Sequence, residues 1–69
     1  MADIQDVAAI VKQRRRELRL SQDDVADLSG TSPRFVRELE AGKPSVRLDK
    51  LVAVMGALGL TVDVVKRKR

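Results

Sequence analysis

The sequence predicts a small all-α domain of four to five helices. Its 69 residues leave room for one domain. Apolar residues recur at the three- and four-residue spacing of a helix over most of the chain. Serines that suit helix starts precede two of these stretches, and glycines follow three of them. A chain this short buries little surface, so we also expect a second copy to stabilise it as a dimer.

The first helix is predicted over residues 3–18, where an apolar stripe is formed by Ile4, Val7, Ala8, Val11 and Leu18. Arg15 falls inside this stripe. A charged side chain that faces a core needs a partner of opposite charge, because an unpaired buried charge is very costly. The neighbouring arginines lie off the stripe and are expected to be solvated: Arg14, Arg16 and Arg19.

The second helix is predicted to be short and to end in a tight turn at residues 29–31. Ser21 and Asp24 approximate a capping box at its start, and Gly30 ends it. The residues expected in the core are Val25, Ala26 and Leu28.

The third helix begins with Ser32 as its N-cap and Pro33 at its first position, and Gly42 stops it. Its apolar face has Val36 and Leu39 in the middle and is flanked by Phe35 and Glu40, while the opposite face carries Arg34, Arg37, Glu38 and Ala41. Phe35 is expected at the edge of the core, with a DNA contact as the alternative. Two short helices joined in this way are the layout of a helix-turn-helix, whose second helix enters the major groove of DNA.

The fourth helix is predicted over residues 48–58, with a wide apolar face of Leu48, Leu51, Val52, Met55 and Leu58. Gly56 inside it predicts the close approach of another backbone. Residues 60–65 change to an alternating, β-branched pattern that predicts a strand with three side chains on one side: Leu60, Val62 and Val64. A strand needs a partner, so this segment is predicted to pair with its copy in a homodimer; a fifth short helix is the alternative.

The composition excludes several classes of function. The chain has no cysteine and no histidine, so disulfides, zinc sites and ordinary nucleophile–base pairs are not expected, nor are cofactors or a small-molecule substrate. The longest apolar run is interrupted by charges, and the start lacks a signal-peptide pattern, so we expect a cytoplasmic protein that is not an enzyme. The net charge is +4, but four basic residues form a tail at 66–69, which leaves residues 1–65 as a nearly neutral domain.

The motif residues together resemble the XRE, or lambda-repressor-like, helix-turn-helix family over residues 8–60. They lie in the segments LSQ (20–22), VA (25–26), SGTS (29–32) and VRELEAGK (36–43). The segments PSVRLDKL (44–51) and ALGL (57–60), with the terminal strand, are similar to the HipB-like antitoxin branch. The resemblance implies an internal ion pair between Arg15 and Glu40, which the helical wheel also favours; a phosphate contact by Arg15 is the alternative.

Roles on DNA follow from the position of each side chain on the third helix and its flanks. Arg34, Arg37, Glu38 and Pro33 are predicted to read bases, and Arg34 can fork onto guanine O6 and N7. Glu38 can accept from the N4 amino group of cytosine, or it can instead pair with Arg34 four residues before it. The residues predicted to contact phosphates are Gln22, Ser32 and Lys43, while Arg14, Arg16 and Arg19 can flank the duplex.

The leading hypothesis is a dimeric repressor of a palindromic operator. The HipB-like resemblance implies an antitoxin of a toxin–antitoxin operon that also restrains a HipA-like kinase toxin. The alternatives are a stand-alone XRE-type regulator and a protein-interaction module that has lost DNA binding. Exposed arginines on the third helix argue against the interaction module, because an interaction surface is more often apolar.

Overall fold

The computed structural model describes residues 3–66 and shows four α-helices in that part of the chain. They are α1 (Ile4–Glu17), α2 (Gln22–Ser29), α3 (Pro33–Glu40) and α4 (Leu48–Ala57). The predicted all-α fold is confirmed, and each predicted helix is present. None of these described helices has the length and apolar character needed to cross a membrane.

The core lies between the four helices and consists of small and medium apolar side chains. Helix α2 packs against both α3 and α4, and α1 packs against α3. The contiguous buried cluster comprises Val11, Val25, Ala26, Val36, Leu39, Val54 and Leu58. Because Val36 and Leu39 are fully buried, the opposite face of α3 is left to solvent.

Three of the four helices begin with a side-chain cap. Asp3 and Ser21 each form a capping box, with Asp6 and Asp24 respectively returning the hydrogen bond to the cap's backbone N–H. Ser32 directly precedes the proline that opens α3, and its hydroxyl accepts a hydrogen bond from the N–H of Phe35 at 3.1 Å. The caps predicted at Ser21 and Ser32 are therefore confirmed, and they fix where α2 and α3 start.

All four helices end in the same left-handed turn, but only α1 uses a residue other than glycine there. Gly30, Gly42 and Gly59 have φ values of +68°, +80° and +72°. Arg19 has φ +57° and is the sole non-glycine with positive φ among residues 3–66. The N–H groups of Arg19 and Leu20 close the turn on the carbonyls of Arg16 and Arg15, at 3.0 and 3.1 Å.

Replacing Arg19 with glycine is expected to raise the free energy of unfolding by about 1 kcal/mol, because glycine lacks the Cβ that makes this conformation unfavourable. Thermal unfolding measures it, with Tm rising by about 4–8 °C per kcal/mol in a domain of this size. Arg16→Gly is the matched control, since Arg16 lies within α1 and the same change there costs up to about 1 kcal/mol. Equal destabilisation by both changes would contradict the strain at Arg19.

The predicted core is wrong at the edges of several helices. Leu18, Leu28, Leu48 and Val52 were expected to be buried, yet all four are exposed. On α4 the fully buried residue is Val54, which was not among the predicted core residues. The apolar faces are wider than the helix–helix contacts that cover them, so the flanking side chains stay in solvent.

Two further predictions about single residues need correction. Arg14 is not simply solvated, because its Nε donates to the carbonyl oxygen of Leu58 at 2.9 Å and ties α1 to the end of α4. Gly56 was expected to meet another backbone, but it is exposed, and a Cβ built there meets nothing within 4 Å.

The C-terminal strand predicted over residues 60–65 is absent from the structure of this single chain. Residues 60–66 form neither a strand nor the alternative fifth helix, and no other described segment offers the backbone partners that a strand needs. Leu60 packs against the core of its own chain, so it is not free to face a second copy. Val62 and Val64 remain exposed. Most of the predicted basic tail, residues 67–69, lies outside the described residues.

Candidate nucleic-acid interface

Helices α2 and α3 form a helix-turn-helix whose turn is fixed by hydrogen bonds. The N–H of Thr31 donates to the carbonyl oxygen of Ala26 at 3.0 Å and closes α2 over Gly30. The hydroxyls of Ser29 and Thr31 lie 2.8 Å apart, and the Ser29 hydroxyl also donates to the carbonyl oxygen of Val25. With the Ser32 cap directly behind it, this turn sets the direction in which α3 leaves α2.

A partly buried ion pair lies behind this unit and joins three helices. Arg15 on α1 donates from Nε and Nη2 to the two carboxylate oxygens of Glu40 on α3, at 2.6 and 2.9 Å. Its Nη1 donates to the carbonyl oxygen of Leu20 at 2.9 Å, and the side-chain amide of Gln22 on α2 donates to Glu40 at 3.2 Å. The side chains of Arg15 and Glu40 are only 12% and 4% exposed.

The electrostatics of the pair favour its charged form. Burial raises the pKa of Glu40, but hydrogen bonds from Arg15 and Gln22 outweigh this and leave the pKa below its ordinary value. The hydrogen bond to Glu40 likewise raises the pKa of Arg15. No buried side-chain nitrogen or oxygen among the described residues lacks a hydrogen-bond partner, so the network is complete.

The outer face of α3 and its N-cap present a short row of exposed side chains, three of them polar. Ser32, Pro33, Arg34 and Arg37 are all exposed, with Arg34 and Arg37 one turn apart. Phe35 is half-buried against the core, and the Lys50 ammonium lies 5.7 Å from the centre of its ring. Two guanidinium groups therefore project from the first two turns of a helix whose other side is buried.

Glu38 lies between two of the cations predicted to contact DNA. Its Oε1 accepts from Arg34 Nε, and its Oε2 accepts from Lys43 Nζ, each at 2.8 Å. These two hydrogen bonds, the one from Lys43 first, lower the pKa of Glu38 to about 2. The carboxylate is thus ionised throughout the neutral range and holds both cations at the end of α3.

The start of α2 offers free backbone donors. The N–H of Asp24 is taken by the Ser21 hydroxyl, whereas those of Gln22 and Asp23 make no hydrogen bond within residues 3–66. Free N–H groups at a helix start suit a phosphate oxygen. The side-chain amide of Gln22 already donates to Glu40. The backbone N–H of Gln22 is therefore the group that stays available to a phosphate.

A basic pocket beside α3 was not anticipated from the sequence. It has a volume of about 340 Å³ and is lined in part by Lys43, Arg47 and Lys50 together with Phe35. Arg47 forms a two-fold hydrogen bond with Asp49, which offsets its charge. These residues come from the loop after α3 and the start of α4, and no periodic pattern marks such a loop.

Comparison with known proteins agrees with this geometry. A family model described as helix-turn-helix matches residues 11–65, which is most of the chain. The chain therefore belongs to this helix-turn-helix family, which is of the XRE type.

A curated relative supports the same assignment. An uncharacterised HTH-type transcriptional regulator, y4mF, of Sinorhizobium fredii is 39% identical over 59 residues. The match spans 86% of this chain and 78% of the relative.

Proposed function

We propose that this protein is a sequence-specific transcriptional repressor that binds double-stranded DNA through the outer face of α3. The observation that carries this proposal is the pair of exposed guanidinium groups, Arg34 and Arg37, on a helix whose other face is fully buried. An arginine in the first turns of such a helix can donate to both O6 and N7 of guanine in the major groove. The name of the relative from Sinorhizobium fredii, a transcriptional regulator, supports the same role.

Phosphate contacts around this helix would orient it in the groove. The free N–H groups at the start of α2 and the hydroxyl of Ser32 lie before α3 in the chain, and Lys43 lies just after it. Contacts of this kind position a protein on the duplex without reading its sequence. We therefore assign base recognition to Arg34 and Arg37. Contacts that position the protein on the duplex are assigned to Gln22, Ser32 and Lys43. Pro33 is assigned a contact with a thymine methyl group or a phosphate.

Substituting Arg34 and Lys43 separately tests this division of labour. Arg34→Ala is expected to reduce discrimination at one base pair by about 1–3 kcal/mol. Lys43→Ala is expected to weaken binding to all sequences alike and to reduce the slope of log K against log [salt] by about one. Fluorescence anisotropy measures the affinity of each variant for a palindromic DNA fragment from upstream of the gene and for single-base variants of that fragment. The titrations are repeated over a range of salt concentrations.

Arg34→Lys is the matched control, because it keeps the charge but loses the planar fork that reads guanine. We expect it to keep the salt slope and to lose the discrimination. Uniform losses from both Arg34→Ala and Lys43→Ala would contradict the division of labour. Absence of any salt-dependent binding to the upstream fragment by the unsubstituted protein would favour a protein-interaction module instead.

We further propose that the repressor binds a palindromic operator as a homodimer. Exposed Val62 and Val64, 44% and 92% exposed, provide an apolar segment beside the domain, and a 69-residue chain gains stability from a second copy. Twofold symmetry would place two α3 helices on half-sites about one DNA turn apart. Sedimentation equilibrium measures the assembly, and a protein that stays monomeric both free and on the operator contradicts it.

We also propose that the protein is the antitoxin of an operon that it represses itself. The support is the HipB-like pattern of residues 44–51 and 57–60, which implies a HipA-like kinase toxin as partner. A stand-alone regulator would have the same domain, so the domain alone does not distinguish it from an antitoxin. The neighbouring gene does. A kinase gene next to this one, whose toxicity is relieved when both genes are expressed together, supports the antitoxin; absence of such a gene supports the stand-alone regulator.

A further inference from the structure

Glu38 differs from the other side chains on the outer face of α3 in making two ion pairs at once. One carboxylate oxygen holds the Nε of Arg34, and the other holds the Nζ of Lys43. The exposed fractions of the three side chains are 80% for Arg34, 51% for Lys43 and 30% for Glu38. The acid thus lies beneath its two partners, and the outermost atoms of this patch belong to the cations.

We propose that Glu38 is a positioning residue that orients Arg34 to read guanine and is not itself a reader of bases; this rests on the proposed function. The guanidinium group has five N–H donors in a rigid planar fork. Because Nε–H is bound to Glu38, the four N–H donors of Nη1 and Nη2 stay free at the outer end of the side chain. That end-on arrangement matches the two acceptors, O6 and N7, that guanine presents in the major groove.

The same contacts argue against a direct contact between Glu38 and cytosine. An amino group of cytosine would have to compete with two charge-assisted hydrogen bonds at 2.8 Å for the carboxylate oxygens. A carboxylate that was not neutralised would also be repelled by the DNA phosphates. Flanked by Arg34 and Lys43, Glu38 enters the groove as part of a group with a net positive charge.

Lys43 contacts Glu38 through its backbone as well as through its side chain. Its N–H donates to the carbonyl oxygen of Glu38 at 3.1 Å in the turn that ends α3. Both ends of Lys43 therefore contact the residue that orients Arg34. Arg34 and Lys43 use different oxygens of the carboxylate, so a phosphate that draws Lys43 away leaves the contact between Glu38 and Arg34 in place.

Two substitutions of Glu38 separate its contact with Arg34 from its charge. Glu38→Ala removes the acceptor for Arg34 Nε, and we expect it to reduce guanine discrimination at the base pair read by Arg34 by about tenfold, within the range of such contacts. Glu38→Gln keeps an amide oxygen for Arg34, and we expect it to retain most of that discrimination. Both remove one negative charge, so both should bind non-specific DNA more tightly and steepen the salt dependence.

The controls distinguish positioning from a general effect of charge or folding. Asp27→Asn removes an exposed acid from α2 that makes no ion pair among residues 3–66, and it should leave discrimination unchanged. In an Arg34→Lys background, Glu38→Ala should cause no further loss of discrimination, because the fork is already absent. Circular dichroism and thermal unfolding verify that each variant is folded.

Two results would overturn the proposal. Undiminished guanine discrimination in Glu38→Ala would show that Arg34 needs no support. Loss of discrimination at a base pair different from the one affected by Arg34→Ala would show that Glu38 reads a base itself. Failure of the unsubstituted protein to discriminate between sequences would instead refute the proposed function, which is a separate outcome of the same experiment.

Discussion

Replacing Arg15 with leucine is expected to lower the free energy of unfolding by about 3 kcal/mol. This is the low end of the range seen when one partner of a buried ion pair is removed, because the pair is only partly buried. The change leaves the carboxylate of Glu40 in place, with its side chain only 4% exposed and only the amide of Gln22 still donating to it. It also leaves the carbonyl oxygen of Leu20 without its donor. In a domain of this size, such a loss is a large part of the total stability.

Urea unfolding of the two single variants and the double variant measures the interaction directly. Glu40→Leu alone leaves an unpaired arginine, whereas the double variant Arg15→Leu/Glu40→Leu removes both charges. We expect the double variant to be more stable than either single variant, because an apolar pair avoids the uncompensated charge. Additive losses, or an Arg15→Leu protein as stable as the original, would contradict a structural role for the pair. Full stability together with weakened DNA binding would favour a phosphate contact by Arg15.

The pair also predicts how stability changes with pH. The pKa of Glu40 is lowered in the folded protein from its ordinary value of 4.5, so its contribution is fully present above that value and is lost as the pH falls through the folded pKa. In Arg15→Leu the burial remains but the arginine does not, so the pKa of Glu40 is expected to rise instead. Lowering the pH below 4.5 should therefore remove this contribution in the original protein, whereas in the variant it should reduce the loss caused by the substitution, measured by urea unfolding at each pH.

Features of the fold that depend on neighbouring residues could be predicted from the sequence. Ser21 and Ser32 mark helix starts because a hydroxyl satisfies backbone N–H groups within the same turn. Gly30 and Gly42 mark helix ends because the left-handed conformation is a property of a single residue. Both kinds of signal are local, and the structure places all four residues where the sequence predicted them.

Features that depend on how helices cross could not be predicted in the same way. A helical wheel gives the direction of an apolar face but not the width that another helix covers, so Leu28 and Leu48 were wrongly placed in the core and Val54 was missed. The contact of Arg14 with the carbonyl of Leu58 spans 44 residues and has no periodic signal. The valines after residue 60 favour a strand by propensity, but a strand forms only where a partner supplies hydrogen bonds.

In the candidate site, too, contacts between residues close in sequence could be predicted and contacts that depend on the folded chain could not. The contact between Arg34 and Glu38 follows from their spacing of four residues on one helix, and it was one of two roles considered for Glu38. The contact between Glu38 and Lys43 depends on the turn at Gly42, which folds the chain back over the end of α3. The sequence predicted which cations contact DNA, and that stays a prediction, but it did not indicate that one carboxylate holds two of them.

Replacing Gly42 with alanine is expected to lower the free energy of unfolding by about 2–3 kcal/mol, combining the cost of a left-handed alanine with the loss of a hydrogen bond. Gly42 has φ +80° and is buried under the side chain of Gln5 from α1. A Cβ at this position would lie 2.6 Å from Gln5 Oε1, so the glutamine must move. Its amide would then lose the 3.3 Å hydrogen bond to the Gly42 carbonyl oxygen.

Gly30→Ala provides the matched control for backbone strain alone. Gly30 has a similar φ of +68°, but a Cβ there meets nothing within 4 Å. Gly30→Ala should therefore lower the free energy of unfolding by about 1–2 kcal/mol. In a Gln5→Ala background, Gly42→Ala should cost only the backbone strain, because the side chain and hydrogen bond that the new Cβ disrupts are already absent. Equal losses at the two glycines, measured by urea unfolding, would contradict a contact between Gln5 and Gly42. Because this turn also sets the position of Lys43, Gly42→Ala should weaken DNA binding to all sequences, whereas Gly30→Ala leaves Lys43 in place.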